Sequence, residues 1–325
     1  MTKVVRSLLV VFLCAPAICG AVKAGANTTE PEYRWKRADG SIALLNSDRV
    51  VWRLNYRRQV GKPYFHPLCL PDGTRLTWLR PPDHPWHRGL WFSWRNINGI
   101  NYWSENAKTH RSKGRTEVVD VDVEHHDDWF ASIRMTIHYH PPGEPAVLVE
   151  KRSLRVSSPA DDGSYHIDWD STFTAQQQAR LGRVPPPHEE DGKGWGGFGG
   201  LTLRMAENTG QWRITDSKGH RGRKGFHGKN ARWAAFGVKS KKTDRAASVV
   251  LLGHPSNTRH PTPWFIVNKM KPVDGGKVPM GFLNAAFLYD DPYTMSRGDS
   301  LGLRYRIVVQ PGRADQKGVD KLWKR

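Results

Sequence analysis

The 325-residue sequence predicts an all-β protein, built as a large antiparallel β-sandwich. Apolar and polar residues alternate over several segments, and Pro, Gly and Asp separate these segments. Such a period of two is typical of antiparallel strands with one buried face. Convincing helical periods are scarce. Because many strands in one chain must stack or close to protect their edges, a sandwich is the expected architecture.

The alternating segments lie between residues 119 and 309. In order, they carry Val119, Val121 and Val123; then Ile133, Met135, Ile137 and Tyr139; then Val147, Val149, Leu154 and Val156; then Tyr165, Ile167 and Trp169; and finally Leu301, Leu303, Tyr305, Ile307 and Val309. Only the tail from Ala314 to Trp323 has a good helical period.

Two stretches rich in Gly interrupt the alternation, residues 183–200 and 218–229. Strands of the same style resume after both, so we interpret them as long loops over one face rather than as domain linkers. The first contains Trp195 and Phe198 among glycines, a combination suited to stacking on sugar rings. We therefore predict a single domain over residues 25–325.

The N-terminus has the pattern of a secretory signal peptide. Lys3 and Arg6 precede an apolar run from Leu8 to Ala21, and small residues follow it. The run is shorter than the ~20 residues that a spanning helix needs, and no later segment approaches that length. We predict cleavage of residues 1–24 and export to the periplasm or cell exterior, with no transmembrane segment afterwards. A retained anchor is the alternative.

The chain is strongly basic, with a formal net charge of +19. This charge favours an anionic partner such as an acidic polysaccharide. Export and the lack of a groove-reading motif argue against nucleic acid. We therefore expect a carbohydrate partner; a solvated basic surface without a partner is the alternative.

The segment from 64 to 103 concentrates the groups that carry chemistry. In it, Asp83 and His84 precede His87, while three prolines exclude a helix, so the histidines must converge from a loop. We predict that His84 and His87 transfer protons, with Asp83 as an orienting group, which requires no cofactor. Two alternatives stay open: a metal site that adds His66, and histidines that only cap and stack within the loop.

Other residues have the chemistry of substrate binding. Arg88 suits an anion, with an ion pair to Asp83 as the alternative, and Trp86 and Trp91 suit a sugar ring. A second loop, starting after Gly253, is expected to share a cleft with the first unless the two are unrelated turns. Its candidates are Asn257, His260 and Trp264. Candidate carboxylates for proton transfer lie in strands, at Glu150 and Asp168; solvent-facing acids are the alternative.

Several motifs together resemble the PmoA-like family of secreted bacterial domains, whose function is unknown and which are often labelled methane oxygenase. They read HPLCLPDGTRLTWLRPPDHPWHRGLWFSW, NGINYW, GGFGGLTLR and HPSNTRHPTPW. The resemblance implies a sandwich similar to the galactose mutarotase-like supersandwich. Its hallmark positions fall on His66, Asp83, His84, His87, Arg88, Asn257, His260 and Trp264. Gly253 and Ala235 stand where that family usually has acids, which implies binding without turnover if those acids are catalytic.

These observations predict a carbohydrate-active protein that uses acid/base chemistry on a sugar or uronic acid, as an epimerase, lyase or hydrolase. The resemblance adds the alternative of a metal-dependent oxygenase with His66, His84 and His87 as ligands. A third hypothesis is a non-catalytic module that binds an acidic glycan.

Overall fold

The computed structural model describes residues 31–106 and 108–323, and their regular structure is almost entirely β. The signal peptide predicted at residues 1–24 lies outside these ranges. Within them, no helix is long and apolar enough to span a membrane.

The described residues form twenty strands, two short helices and one 3-10 turn. The strands are β1 (Tyr33–Ala38), β2 (Ser41–Asn46), β3 (Arg49–Asn55), β4 (Tyr64–Leu68), β5 (Leu90–Ser93), β6 (Asn96–Ile97), β7 (Ile100–Asn101), β8 (Arg115–His125), β9 (Ala131–His140), β10 (Leu148–Val156), β11 (Tyr165–Ala175), β12 (Ala179–Gly182), β13 (Gly200–Arg204), β14 (Thr209–Asp216), β15 (Trp233–Ser240), β16 (Ala246–Gly253), β17 (Trp264–Val273), β18 (Gly276–Ala285), β19 (Tyr293–Met295) and β20 (Ser300–Pro311). The helices are α1 (Gly222–Phe226) and α2 (Gln316–Trp323), and the 3-10 turn is Arg58–Val60.

Two eight-stranded antiparallel sheets form the sandwich, which confirms the predicted fold class. The first sheet has the order β1-β2-β3-β4-β5-β13-β18-β17, and the second has the order β14-β15-β16-β20-β11-β10-β9-β8. Aromatic residues join them: the ring of Phe92 lies 5.2 Å from that of Phe173. A small four-stranded sheet, β19-β12-β6-β7, completes the fold.

Most predicted strands have the predicted inward face, and two differ. In β10 the inward residues are Leu148 and Glu150, so the inward placement predicted for Val149 is wrong. Every second residue of β9, from Ile133 to Tyr139, is buried, as expected. In β8 a register shift lies between Val118 and Asp120, and the residues that face inward change from even to odd positions there. Val118 is therefore buried while Val119 is exposed, so the inward placement predicted for Val119 is wrong.

Strand β10 carries charged residues on its inward face. Glu150 and Arg152 are buried, and the Arg152 Nε and Nη2 atoms donate to the two Glu150 oxygens at 2.7 and 2.9 Å. Hydroxyl groups of Tyr139 and Ser171 also donate to this carboxylate. The prediction that Glu150 faces a cleft is wrong, because the sheets enclose it with its partners.

The outer face of the first sheet carries a second aromatic cluster, which includes Trp91, Phe265 and Phe282. Period-two alternation separates it from the core: Trp264 of β17 packs inward, whereas Phe265 points outward. On the outer face of the second sheet, helix α2 covers a smaller apolar cluster that contains Ala235. The outer aromatic cluster is the floor of the site described next.

Candidate functional site

Two consecutive β-turns build the loop that carries the predicted histidines. The His84 amide donates to the Pro81 carbonyl, and the His87 amide donates to the His84 carbonyl, both at 3.0 Å. Pro82 and Pro85 stand at the second position of their turns, where the fixed φ of proline favours the turn geometry. The repetition stacks the rings of His84 and His87, with centroids 4.5 Å apart.

The chain returns from this loop to the first sheet through a glycine. Gly89 has a φ of +82°, and a Cβ atom there would lie 2.6 Å from the Phe65 carbonyl oxygen. Only glycine permits both the dihedral angle and this close approach. A backbone hydrogen bond of 2.8 Å between Arg80 and His87 closes the loop at its base. The histidines are thus held on a rigid support.

Asp83 orients His84 and is itself anchored to the sheet. The Asp83 Oδ2 atom lies 2.8 Å from His84 Nδ1, and Oδ1 accepts from Arg204 Nη2 of β13 at 2.7 Å. Burial alone would raise the pKa of Asp83, but the hydrogen bonds and charges of His84 and Arg204 outweigh it and lower the pKa. An ionised Asp83 can only accept, so His84 Nδ1 carries the proton and Nε2 is left as the basic nitrogen.

His87 lies beneath His84 and is held neutral. It is 2% exposed, and its Nδ1 atom has no hydrogen-bond partner. Burial, and then the charges of His84, Arg204 and Lys62, keep the pKa of His87 well below its ordinary value. Its ring packs 5.2 Å from Trp91 and 5.1 Å from Phe282. A neutral ring in this position leaves His84 as the proton carrier of the pair.

Both histidines line a cavity of about 300 Å³ on the outer face of the first sheet. Its aromatic lining comes from the histidine loop, from the glycine-rich stretch 183–200 and from the first sheet and its connections, namely Trp86, Trp103, Trp195, Phe198, Phe265 and Phe282. Its cationic lining consists of Arg95, Arg223, Lys269 and Lys271. Within the described residues no Asp or Glu lines this cavity. It is therefore suited to a ligand with apolar faces and negative charge.

Arg95 is a cation without an acidic partner among the described residues. Its Nε and Nη1 atoms are buried and donate to no acceptor among the described residues, while the guanidinium lies 5.8 Å from the centre of the Phe198 ring. Burial lowers the pKa of Arg95, although a guanidinium stays charged in proteins. A buried cation usually has a counter-charge, so Arg95 indicates where an anionic group would bind.

Arg88, predicted to bind an anionic substrate, does not line the cavity. It is 1% exposed, and its Nε and Nη2 atoms donate to Glu105 Oε1 at 3.0 and 2.6 Å. The Lys62 amine also donates to Glu105, and burial, ahead of the charges around it, lowers the pKa of Lys62 to about 8. The expected alternative pairing of Arg88 with Asp83 is wrong as well, since Asp83 binds Arg204.

His66 lies apart from the cavity lining, on β4. Its Nδ1 atom is 3.0 Å from the Thr77 hydroxyl, and burial lowers its pKa to about 4. In residues 31–106 and 108–323, no three His, Cys, Asp or Glu side chains are grouped so that they could hold a metal ion. The ligand set predicted for the oxygenase alternative, His66 with His84 and His87, is therefore not assembled.

The second loop does not share the cavity. Gly253 and His254 border a separate shallow depression with Asp168, which forms a bidentate ion pair with Arg306 at 2.6 and 3.1 Å. The predicted pairing of Asp168 with the histidines is thus not formed. The remaining candidates have structural contacts. They are Asn257, bonded to the backbone of Arg304; His260, next to Gly253; and Trp264, buried with Nε1 donating to Ala231.

The sequence matches the model of DUF6807, described as a family of unknown function, over residues 41–324. The chain belongs to DUF6807. This corrects the resemblance to the PmoA-like family, and it removes the basis of the oxygenase label and of the two expected acids. In this DUF6807 chain, Ala235 packs under α2, away from the cavity. No curated protein matches the chain.

Solved structures with a similar course of the chain bear names of carbohydrate-active enzymes. A mutant heparan sulfate lyase from Pedobacter heparinus aligns with a TM-score of 0.41 and 8% identity, over 87% of this chain and 35% of the lyase. A variant GH36 α-galactosidase from Geobacillus stearothermophilus, solved with stachyose, gives 0.42 and 7%, over 86% and 40%. The DUF6807 chain thus spans less than half of either. A putative aldose 1-epimerase from Klebsiella pneumoniae gives 0.35 and 12%, over 88% and 80%. At these TM-scores the likenesses carry no argument about activity.

Sequence reasoning missed the residues of the DUF6807 chain that complete the site. Arg204 anchors Asp83 across 121 positions of sequence, and Glu105 neutralises Arg88. Arg95 lies between β5 and β6, and Arg223 lies in α1, each without a motif around it. The one available signal was an arginine at the end of the apolar strand β13, where a buried charge requires a partner.

Proposed function

We propose that the cavity binds an acidic sugar and that His84 exchanges a proton with it. The observation that carries the proposal is the composition of the cavity: aromatic rings and four cations without a carboxylate, beside a histidine that a buried aspartate orients. Aromatic faces suit the C–H faces of a sugar ring. The cations suit its carboxylate or sulfate group, and the unpaired Arg95 is the expected anchor.

The proton transfer follows from the orientation of His84. With Nδ1 bonded to Asp83, the Nε2 lone pair takes a proton from the carbon next to the carboxylate of a uronic acid. Arg95 stabilises the negative charge that develops on the carboxylate oxygens. In elimination, the substituent on the adjacent carbon then leaves with the electron pair, and its oxygen takes the proton from the His84 imidazolium. In epimerisation, a water molecule on the opposite face gives a proton to the same carbon, and the His84 imidazolium returns its proton to the hydroxide that is left, through solvent.

The lining favours elimination or epimerisation over hydrolysis of a glycosidic bond. Most glycosidases place two carboxyl groups on either side of the scissile bond. The described residues contribute no carboxyl group to this cavity, and Asp83 is 3% exposed and occupied by Arg204 and His84. The arrangement therefore supports an epimerase or lyase acting on an acidic sugar, with simple binding of an acidic glycan as the second candidate, favoured by the charge of +19.

The test compares uronic-acid oligosaccharides with neutral ones of equal length. We expect calorimetry to detect binding of the acidic set only, and ultraviolet absorbance or proton exchange from solvent to detect unsaturation or epimerisation. The variant His84→Ala should lower turnover by about 10²–10⁴-fold with binding retained, since it removes the general base. His138→Gln, on the outer face of β9, is the control.

The outcomes of this test distinguish catalysis on an acidic sugar from simple binding of an acidic glycan. Equal binding of neutral and acidic sugars would contradict the proposal as a whole. Binding of acidic sugars without any product, in the unaltered protein, would leave the non-catalytic glycan-binding module and reject proton transfer at His84.

A further inference from the structure

The cavity extends along β17 on the outer face of the first sheet. Alternate residues of this strand line it in sequence: Phe265, Val267, Lys269 and Lys271. Strand side chains alternate between faces, so these four share one side, and at ~3.3 Å per residue they extend over about 20 Å. Phe265 packs 5.8 Å from Phe282, the residue that also contacts His87. Arg204 Nη2, which binds Asp83, also donates to the carbonyl oxygen of Pro279, and Pro279 pairs with Met270. The histidine loop therefore lies beside this row, between its apolar end at Phe265 and its last cation at Lys271.

The cationic end stands on a hairpin that projects beyond the first sheet. Strand β13 pairs with β18 only from Phe282 to Asn284, whereas β17 and β18 pair with each other as far as Val273 and Gly276. Lys269 and Lys271 lie on this two-stranded part, and neither forms an ion pair with a described residue. Two unpaired cations thus face the same cavity as Arg95, at a distance from it.

An exposed aromatic residue borders the cavity as well. Trp195 is 51% exposed, although a tryptophan of a folded domain is normally well covered. Its ring lies 6.2 Å from Phe198, and Gly197 between them has a φ of +94°, with a Cβ position 2.5 Å from the Tyr289 ring. The glycine lets the loop approach closely and present Trp195 at the rim. An open aromatic face at this place suits a further sugar ring.

We propose that the site takes a chain of several acidic sugar units rather than a single sugar. One unit lies at His84, while Lys269 and Lys271 bind the anionic groups of units farther along β17. This inference rests on the proposed function, because it assigns the cationic end of the same cavity. The proposal rests on the separate positive charges that are spread along the strand. One small anion contacts only one end of this row, whereas a repeating polyanion contacts both ends.

The experiment measures affinity against chain length by calorimetry, using oligogalacturonates from one to six units. In the unaltered protein we expect affinity to rise with length. The double variant Lys269→Gln/Lys271→Gln should bind the hexamer about five- to tenfold more weakly at low salt and bind the monomer unchanged, since partly exposed ion pairs contribute modestly. The loss should shrink in 0.5 M salt because of screening, which is strong at ~1 M.

The matched control is Lys277→Gln on the same hairpin. Lys277 is exposed and lies outside the cavity lining, on the face of β18 opposite to Met280 and Phe282. We expect it to bind every length as the unaltered protein does. An equal loss in this control would show that overall charge, not a subsite, is responsible.

Failure of this inference can be told from failure of the proposed function. If short acidic sugars bind and longer ones gain nothing, or if the double variant binds the hexamer normally, the extended site is wrong and the site at His84 stands. If no acidic sugar of any length binds, the proposed function fails and the extended site fails with it.

Discussion

Two loops of the molecule have the same construction, residues 81–87 and 254–260. Each consists of two consecutive β-turns that share their central residue. In the second loop, the Asn257 amide donates to His254 and the His260 amide donates to Asn257, both at 3.0 Å. The residues that favour the turns again belong to the loop itself. Pro255 stands at the second position of the first turn, and Arg259 has a φ of +63° in the second turn.

The two loops differ in what their polar side chains contact. In the first, Asp83 orients His84 toward a cavity, and its other oxygen binds Arg204. In the second, the Asn257 side chain donates to the Arg304 carbonyl and accepts from the Arg304 amide, each at 2.7 Å. It therefore satisfies a strand backbone, and at 5% exposure it is covered by the protein. The same pair of turns can therefore position the residues of a site or fix a loop to a strand, depending on which residues lie opposite the loop.

The largest expected effect comes from Asp83→Asn in the first loop. The amide no longer fixes the proton on His84 Nδ1, so we expect kcat to fall by about 10²-fold or more. Arg204 also loses its anion while it is buried, which should lower the free energy of unfolding by about 3 kcal/mol. Turnover is measured well below the unfolding temperature, and unfolding by urea. Ser256→Ala, which removes the exposed contact to His254, is the equivalent change in the second loop and should alter neither. Normal kcat in Asp83→Asn would remove the distinction between the loops.

The second effect in size is Asn257→Ala. It leaves the Arg304 N–H without its partner, while the Arg304 carbonyl keeps the bond from the His254 amide, so we expect a loss of about 2 kcal/mol in the free energy of unfolding. Binding of acidic sugars per folded molecule should stay unchanged, because Asn257 lies outside the cavity. Urea unfolding and calorimetry measure the two quantities. Weaker sugar binding at full stability would show that the second loop serves the site after all.

The sequence was sufficient for the fold and for the turns but not for the partners of the turns. Alternation in β9, β11 and β20 reports a face that is buried along a whole strand, which is a local property. The pairing of charged side chains is not a local property. Asp83 binds Arg204, and Arg88 binds Glu105, through contacts that form only in the assembled sheet. The second loop was predicted to share a cleft with the first because the two loops have a similar composition. Composition does not show which residues lie opposite a loop in the assembled sheet. The sequence pattern does not reveal the β-bulge at Val119 either, because apolar and polar residues alternate regularly from Val119 to Val123.

The smallest expected effect concerns His87, the last residue of the first loop. Its pKa in the folded state lies below the ordinary value near 6.5, because of burial, so the unfolded chain binds the proton first. Its contribution to stability is complete above pH 6.5 and is lost as the pH falls below it. The variant His87→Phe keeps a ring between Trp91 and Phe282 without the titration. We expect urea unfolding at pH 7 and pH 5 to show a fall in stability that is smaller in the variant by about 1–2 kcal/mol. The remaining fall is expected from His66 and His227, whose pKa values are both lowered to about 4. Identical falls in both proteins would mean that His87 is protonated as easily in the folded chain as in the unfolded one, and the neutral support beneath His84 would have to be abandoned.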